Sequence, residues 1–126
     1  MTNEYIFKHI LNHGINKEEI YGAYKIFFGT LFSGSRLKII NLLRKGRKNV
    51  SEIMNVTRMN QTAVSHDLAR LKKCGFVTSE VEGKFRYYKL NEETIKPLME
   101  LIDKHMGKFC VHILRKNPKK KKEVKK

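Results

Sequence analysis

NQTAVSHDLARLKKCG, from Asn60 to Gly75, is the stretch on which the rest of the chain is read. Val64, Leu68 and Leu71 recur at i, i+4 and i+7, which puts them on one stripe of an α-helix. The opposite face carries Gln61, Thr62, Ser65, His66, Lys72 and Lys73: amide, hydroxyl, imidazole and ammonium groups, with no acid among them. Asp67 is turned roughly 160° from the middle of that face by the helical period. Asn60 suits the N-cap, because its side-chain oxygen can accept from a free N–H of the first turn. Gly75 suits the stop, because glycine enters the left-handed conformation cheaply. A short helix that buries one stripe and presents short polar groups on the other side fits the base edges of a major groove. Amphipathic surface helices are common, so the flanking segments decide between a groove reader and a plain solvated helix.

Upstream, Ser51 is expected to cap a short helix from Glu52 to Val56, and Thr57 to Met59 forms a tight connection into the helix at Asn60. Two short helices so joined have helix-turn-helix spacing. Before them, Ser33 caps a helix through Arg36, Leu37, Ile40 and Leu43 that closes at Gly46, and Val50 is expected to pair briefly in a sheet. Asn16 and Glu19 have capping-box spacing, with Ile15 and Ile20 at the staple positions. Ile20, Tyr24, Phe27 and Leu31 then repeat at helical spacing, widened by Phe28 and Phe32. Such an aromatic helix either packs inside or forms half of a subunit interface. Residues Asn3 to His13, with Ile6 and Ile10 on one side, read as a further short helix.

Downstream of Gly75 the period drops to about two. Phe76 to Val81 and Lys84 to Leu90 read as strands, with Glu82-Gly83 at the turn between them. Phe85, Tyr87 and Lys89 face one way, and Lys84, Arg86 and Tyr88 the other. A hairpin directly after the second helix of a helix-turn-helix is a wing, whose Lys84 and Arg86 can reach phosphates or a minor groove. Asn91 is expected to cap a last helix, with Glu92 and Glu93 at its positive end and Pro97 in its second turn, where the first turn separates or kinks. Leu98, Ile102, Met106, Phe109 and Ile113 make a long stripe with nothing downstream to cover it. Together with the aromatic helix it is the expected homodimer surface, the alternative being that the two helices pack on each other within one subunit.

At 126 residues the chain fits one domain, residues 1–114, followed by a disordered Lys-rich tail, residues 115–126. The net charge is +15, of which the tail holds +7, so the domain is basic by itself. That balance points to a polyanion. No apolar run approaches the roughly 18 residues of a membrane span, so no membrane partner is expected. Cys74 and Cys110 are far apart and form no disulfide framework or zinc spacing, and with no signal-peptide core at the N-terminus the cytoplasm is the expected compartment. No clustered nucleophile and base, Gly-rich phosphate loop or carboxylate pair can be named, so neither an enzyme nor a cofactor is expected.

LFSGSRLKIINLL, VSEIMNVTRMNQTAVSHDLARLKKCGFV and EGKFRYYKLN, within Phe28 to Leu101, resemble the ArsR-type winged-helix repressors. The family pattern falls on Gln61, Val64, Ser65, Leu68, Leu71, Gly75, Val77, Gly83, Tyr87, Tyr88 and Leu90, with His66 as its common histidine. The resemblance implies a mainly α winged helix-turn-helix, dimeric through its N- and C-terminal helices, that binds double-stranded DNA at an inverted repeat until an effector intervenes. It implies that Gln61, Thr62, Ser65 and His66 meet bases or nearby phosphates and that Lys84 and Arg86 serve the wing. Arg70, Lys72 and Lys73 complete the expected DNA-binding set. Departures are specific. Asp67 replaces the usual second His or Gln, and Arg58 stands where a turn glycine is common, which implies left-handed strain there. The family's Cys-Val-Cys metal motif is here Asn49-Val50-Ser51, which offers no thiolate. On the last helix Asp103-Lys104-His105 matches the start of the other family metal site, but Lys116 and Lys119 stand where its second half belongs. No metal site is assigned; Asp103, His105, His112 and Cys110 would be its residues, joined across a dimer axis by His9 and His13. Cys74, beside Lys72 and Lys73, and Cys110 are the residues a thiol switch would use. The effector is left open. The rival function is a winged-helix protein-interaction module, adaptor or antitoxin-like, without sequence-specific DNA binding.

Overall fold

Side-chain caps fix where most helices begin in the computed structural model, which describes Gly14 and residues 16–115. Helix α1 (Lys17–Leu31) opens on the expected capping box. The Asn16 side chain accepts from the Glu19 N–H at 2.9 Å, and the Glu19 carboxylate accepts from the Asn16 N–H at 3.2 Å. Helix α2 (Gly34–Leu43) is capped by Ser33, whose Oγ accepts from the Arg36 N–H.

The next helix departs from expectation. Helix α3 runs Val50–Thr57, and its cap is Asn49 rather than Ser51. Asn49 and Glu52 form a second capping box with both bonds at 2.9 Å. That pairing satisfies two backbone donors reciprocally, where a serine at 51 has no such partner. Val50 is therefore helical, and the brief sheet pairing falls on β1 (Lys48–Asn49).

Strands β2 (Val77–Glu82) and β3 (Phe85–Leu90) pair antiparallel from Val77↔Leu90 to Glu82↔Phe85. Because Glu82 pairs with Phe85, the turn is Gly83-Lys84, one residue later than expected. Gly83 takes its first central position with φ +63°, where a two-residue hairpin loop favours glycine. With β1 against β3, the hairpin becomes a three-stranded sheet of order β1-β3-β2.

Asn91 does not cap the last helix directly. Its side chain accepts from the N–H groups of Glu93 and Thr94 and forms a separate turn, tied to the Gly75 carbonyl by its own amide at 2.9 Å. Helix α5 (Ile95–His105) starts after that turn, so Pro97 sits in its first turn, where N–H groups have no helical acceptor. A π-helical turn, Met106–Cys110, follows, and then α6 (Val111–Arg115). The wider turn rotates everything beyond it relative to a regular helical wheel. Asp103, His105, Cys110 and His112 are therefore not spaced around the axis as on one straight α-helix. Arg115, expected in the tail, closes α6.

The core is drawn from every layer: Ile39, Ile40 and Leu43 of α2, Ile53 of α3, Val64, Leu68 and Leu71 of the helix from Gln61 to Lys73, Phe76 just before the sheet, Val77 and Leu90 within it, and Ile95 and Met99 of α5. Phe27 of α1 stacks on Phe76 at 4.9 Å between ring centroids. Ile20 of the same stripe is fully buried and Leu31 packs against the core, but much of the helix's remaining apolar surface does not pack inside the subunit. Tyr21, Ile26, Phe28 and Phe32 stay exposed, Phe32 at 90 %, as do Leu101, Met106, Phe109 and Ile113. Among the described residues, no single helix is long and apolar enough to cross a membrane. The expected helix Asn3–His13, the Ile15 staple and the lysines beyond Arg115 lie outside the described residues.

Candidate nucleic-acid interface

Helix α4 (Gln61–Lys73) is closed at both ends as its sequence requires. The Asn60 side chain accepts from the Ala63 N–H at 2.8 Å. At the other end Gly75 is left-handed at φ +79°, the Gly75 N–H donates to the Lys72 carbonyl, and the Phe76 N–H donates to the Leu71 carbonyl. This is a Schellman motif, and Leu71 and Phe76, both buried, supply its apolar contact. Val64, Leu68 and Leu71 are at most 1 % exposed. Gln61, Thr62, Ser65, His66, Lys72 and Lys73 all lie exposed on the other side, and the His66 side chain is 79 % exposed.

The one acid of α4 is withdrawn from that face. Asp67 is buried, accepts from Ser35 Oγ at 2.5 Å and pairs with the Arg36 guanidinium at 3.2 Å. Arg36 also donates through Nε to the Thr30 carbonyl at 2.7 Å. The carboxylate thus has a buried partner and two hydrogen bonds, the condition under which a buried charge is tolerated. It fastens α4 to the end of α1 and the start of α2. His66 Nδ1 stands 3.9 Å from Asp67, too far for a hydrogen bond.

Arg70 is the member of the expected DNA-binding set that the fold does not bring to this face. It is half-buried, and its Nε donates to Thr30 Oγ1 at 3.2 Å. The reason is angular: the helical period carries Arg70 to the edge facing α1. The wing does join the face. Lys72 Nζ donates to Ser79 Oγ at 2.8 Å and Arg86 reaches the same oxygen at 3.3 Å, so the last turn of α4 and both strands meet at one hydroxyl. Lys84 is exposed in the hairpin turn.

Two arginines complete the surroundings. Arg58 ends α3 in the left-handed region at φ +64°, in keeping with the strain expected there. Arg47, which periodicity does not single out, bonds Glu80 at 3.2 Å and also Glu82, and its guanidinium lies 4.1 Å from the centre of the Tyr87 ring. The Glu82 hydrogen bond holds this guanidinium above its already high ordinary pKa. No local signal marks Arg47, because its partners are set by strand register.

The residues considered for metal and thiol chemistry are placed separately. Asp103 pairs with Arg44 at 2.6 Å, and the His105 ring lies against Phe109. No group of three or more His, Cys, Asp or Glu that could hold a metal occurs among the described residues, which do not include His9 and His13. Cys74 and Cys110 are free and half-buried, and Cys74 Sγ lies 3.4 Å from Thr30 Oγ1.

Residues 33–79 match the model of the bacterial regulatory protein arsR family. The chain is 35 % identical over 85 residues to the HTH-type transcriptional regulator Rv0324 of Mycobacterium tuberculosis, covering 64 % of this chain and 38 % of that protein. It is 38 % identical over 76 residues to the cadmium resistance transcriptional regulatory protein CadC of Listeria innocua, covering 60 % of this chain and 64 % of that one. The match thus spans less than two thirds of either relative. The fold superposes with a TM-score of 0.69, at 30 % identity, on the homodimeric winged helix-turn-helix DNA-binding domain Mb0332 of Mycobacterium bovis, a possible ArsR-family regulator, covering 76 % of this chain and 89 % of that one. With a winged helix-turn-helix in place, its second helix capped at both ends and its sequence shared with these regulators, the chain belongs to the ArsR family of bacterial regulatory proteins.

Proposed function

We propose that this chain is a sequence-specific double-stranded DNA-binding transcriptional regulator, a repressor that binds an inverted-repeat operator as a homodimer in the cytoplasm. The observation that carries the reading is the acid-free, exposed face of α4 beside a cationic wing. Gln61, Thr62, Ser65 and His66 are short enough to meet base edges when α4 lies in a major groove. Lys72, Lys73, Lys84 and Arg86 neutralise phosphates and supply most of the affinity, while the short polar groups supply the specificity. Arg70 serves α1 instead. The exposed apolar faces of α1 and the C-terminal helix are the dimer contact, which sets two α4 helices at the spacing of two half-sites.

The test is an anisotropy titration with operator and random duplexes. Ser65→Ala or His66→Ala lowers the ratio of operator to random affinity by about 5- to 100-fold. Lys84→Ala weakens both duplexes alike and flattens the salt dependence by about one unit of slope. If neither class of variant changes binding, the assignment is wrong. If the wild type shows no salt-dependent duplex binding, the chain is a protein-interaction module instead. Repeating the titration with zinc, chelator or oxidant identifies the effector class.

A further inference from the structure

Glu80 and Glu82 are the only acids between Val77 and Leu90, and both are exposed on a wing whose tip carries Lys84 and Arg86. Bare carboxylates so placed repel a phosphate backbone. Their i, i+2 spacing puts them on one side of β2, and the register sets Glu80 opposite Tyr87. Arg47, from the loop before β1, meets all three: its two terminal nitrogens take one carboxylate each, and its plane covers the Tyr87 ring. A planar fork can do this where a lysine, as a single point charge, cannot. The backbone beside it is held by β1, which pairs Asn49 with Tyr87.

We propose that Arg47 serves the wing by screening Glu80 and Glu82 from DNA, so that their charge does not oppose the phosphate contacts of Lys84 and Arg86. The inference rests on the DNA-binding reading above.

It is tested by titrating the full chain with a random-sequence duplex at two salt concentrations. Arg47→Ala weakens binding about tenfold at about 50 mM salt, and the gap narrows at about 300 mM as screening shortens. Arg47→Met, which keeps an apolar stem over Tyr87, gives the same loss and serves if Arg47→Ala does not fold. The Glu80→Gln, Glu82→Gln double variant stays within about threefold of wild type, because Arg47 already offsets one of the two charges and holds both carboxylates in ion pairs. Adding those two changes to either position-47 variant restores binding to within about threefold of wild type. That rescue separates screening from a direct phosphate contact or a folding role, neither of which predicts this non-additivity. Unaltered binding by the position-47 variants, no rescue, or an equal gain from the glutamines in both backgrounds would overturn the inference. Wild-type protein that binds no duplex removes the DNA-binding reading and this inference with it. Wild-type binding that ignores position 47 removes only the inference.

Discussion

At the scale of single residues, two arginines show how a local rule yields to its surroundings. Arg58 holds φ +64° at the end of α3, where its Cβ is crowded and glycine would not be. Arg58→Gly is expected to raise stability by about 0.5–1 kcal/mol net of the added unfolded-state entropy, read as a higher urea midpoint with unchanged slope. A lower midpoint would mean that the arginine side chain contributes more than its backbone strain costs. Arg36 is the converse case, since its nearly buried charge depends on Asp67. Asp67→Ala is expected to cost about 3 kcal/mol, because it leaves a cation in the interior without its partner. Urea unfolding of this variant within about 0.5 kcal/mol of wild type would show that Arg36 finds another acceptor. The sequence did place Asp67 away from the polar face of α4. It did not name Ser35 and Arg36 as its partners, because they arrive from a helix thirty-odd residues earlier.

At the scale of elements, what was legible was whatever a side chain does to its own backbone. The Asn16–Glu19 capping box, the Asn60 cap and the Gly75 stop are contacts over a few residues, so spacing alone exposes them. The errors were competitions between local options. Ser51 and Asn49 both suit a cap, and Asn49 wins because Glu52 returns its hydrogen bond. Asn49→Ala is therefore expected to lose about 1 kcal/mol and Ser51→Ala close to nothing, a contrast that thermal unfolding resolves. Equal losses would put the helix start back at Ser51. The hairpin turn slipped by one residue for a similar reason: alternation gave the faces, but the pairing of Glu82 with Phe85 fixed which residues make the loop. The π-helical turn at Met106–Cys110 carries no pattern that a helical wheel detects.

At the scale of the whole molecule, the apolar residues that the subunit leaves uncovered are the informative ones. Phe28 and Phe32 near the end of α1, and Phe109 and Ile113 beyond α5, remain exposed although they continue helical stripes that lead into the core. If these faces form the dimer, Phe109→Glu is expected to shift sedimentation from dimer toward monomer and to weaken operator binding at least tenfold, because one half-site alone then holds the protein. A Phe109→Glu protein that sediments as wild type would move the interface elsewhere.

Periodicity and capping chemistry act within about one turn of helix or one strand pair. For that reason the sequence by itself determined the order of elements, the inward stripe of α4 and the polar face it presents. Tertiary structure decided what depends on chain segments meeting across the fold: that Asp67 is neutralised by Arg36, that Arg70 turns to Thr30 rather than outward, and that Arg47 spans Glu80 and Glu82. A charged side chain is long and mobile enough to suit several partners, and only the packed backbone selects among them.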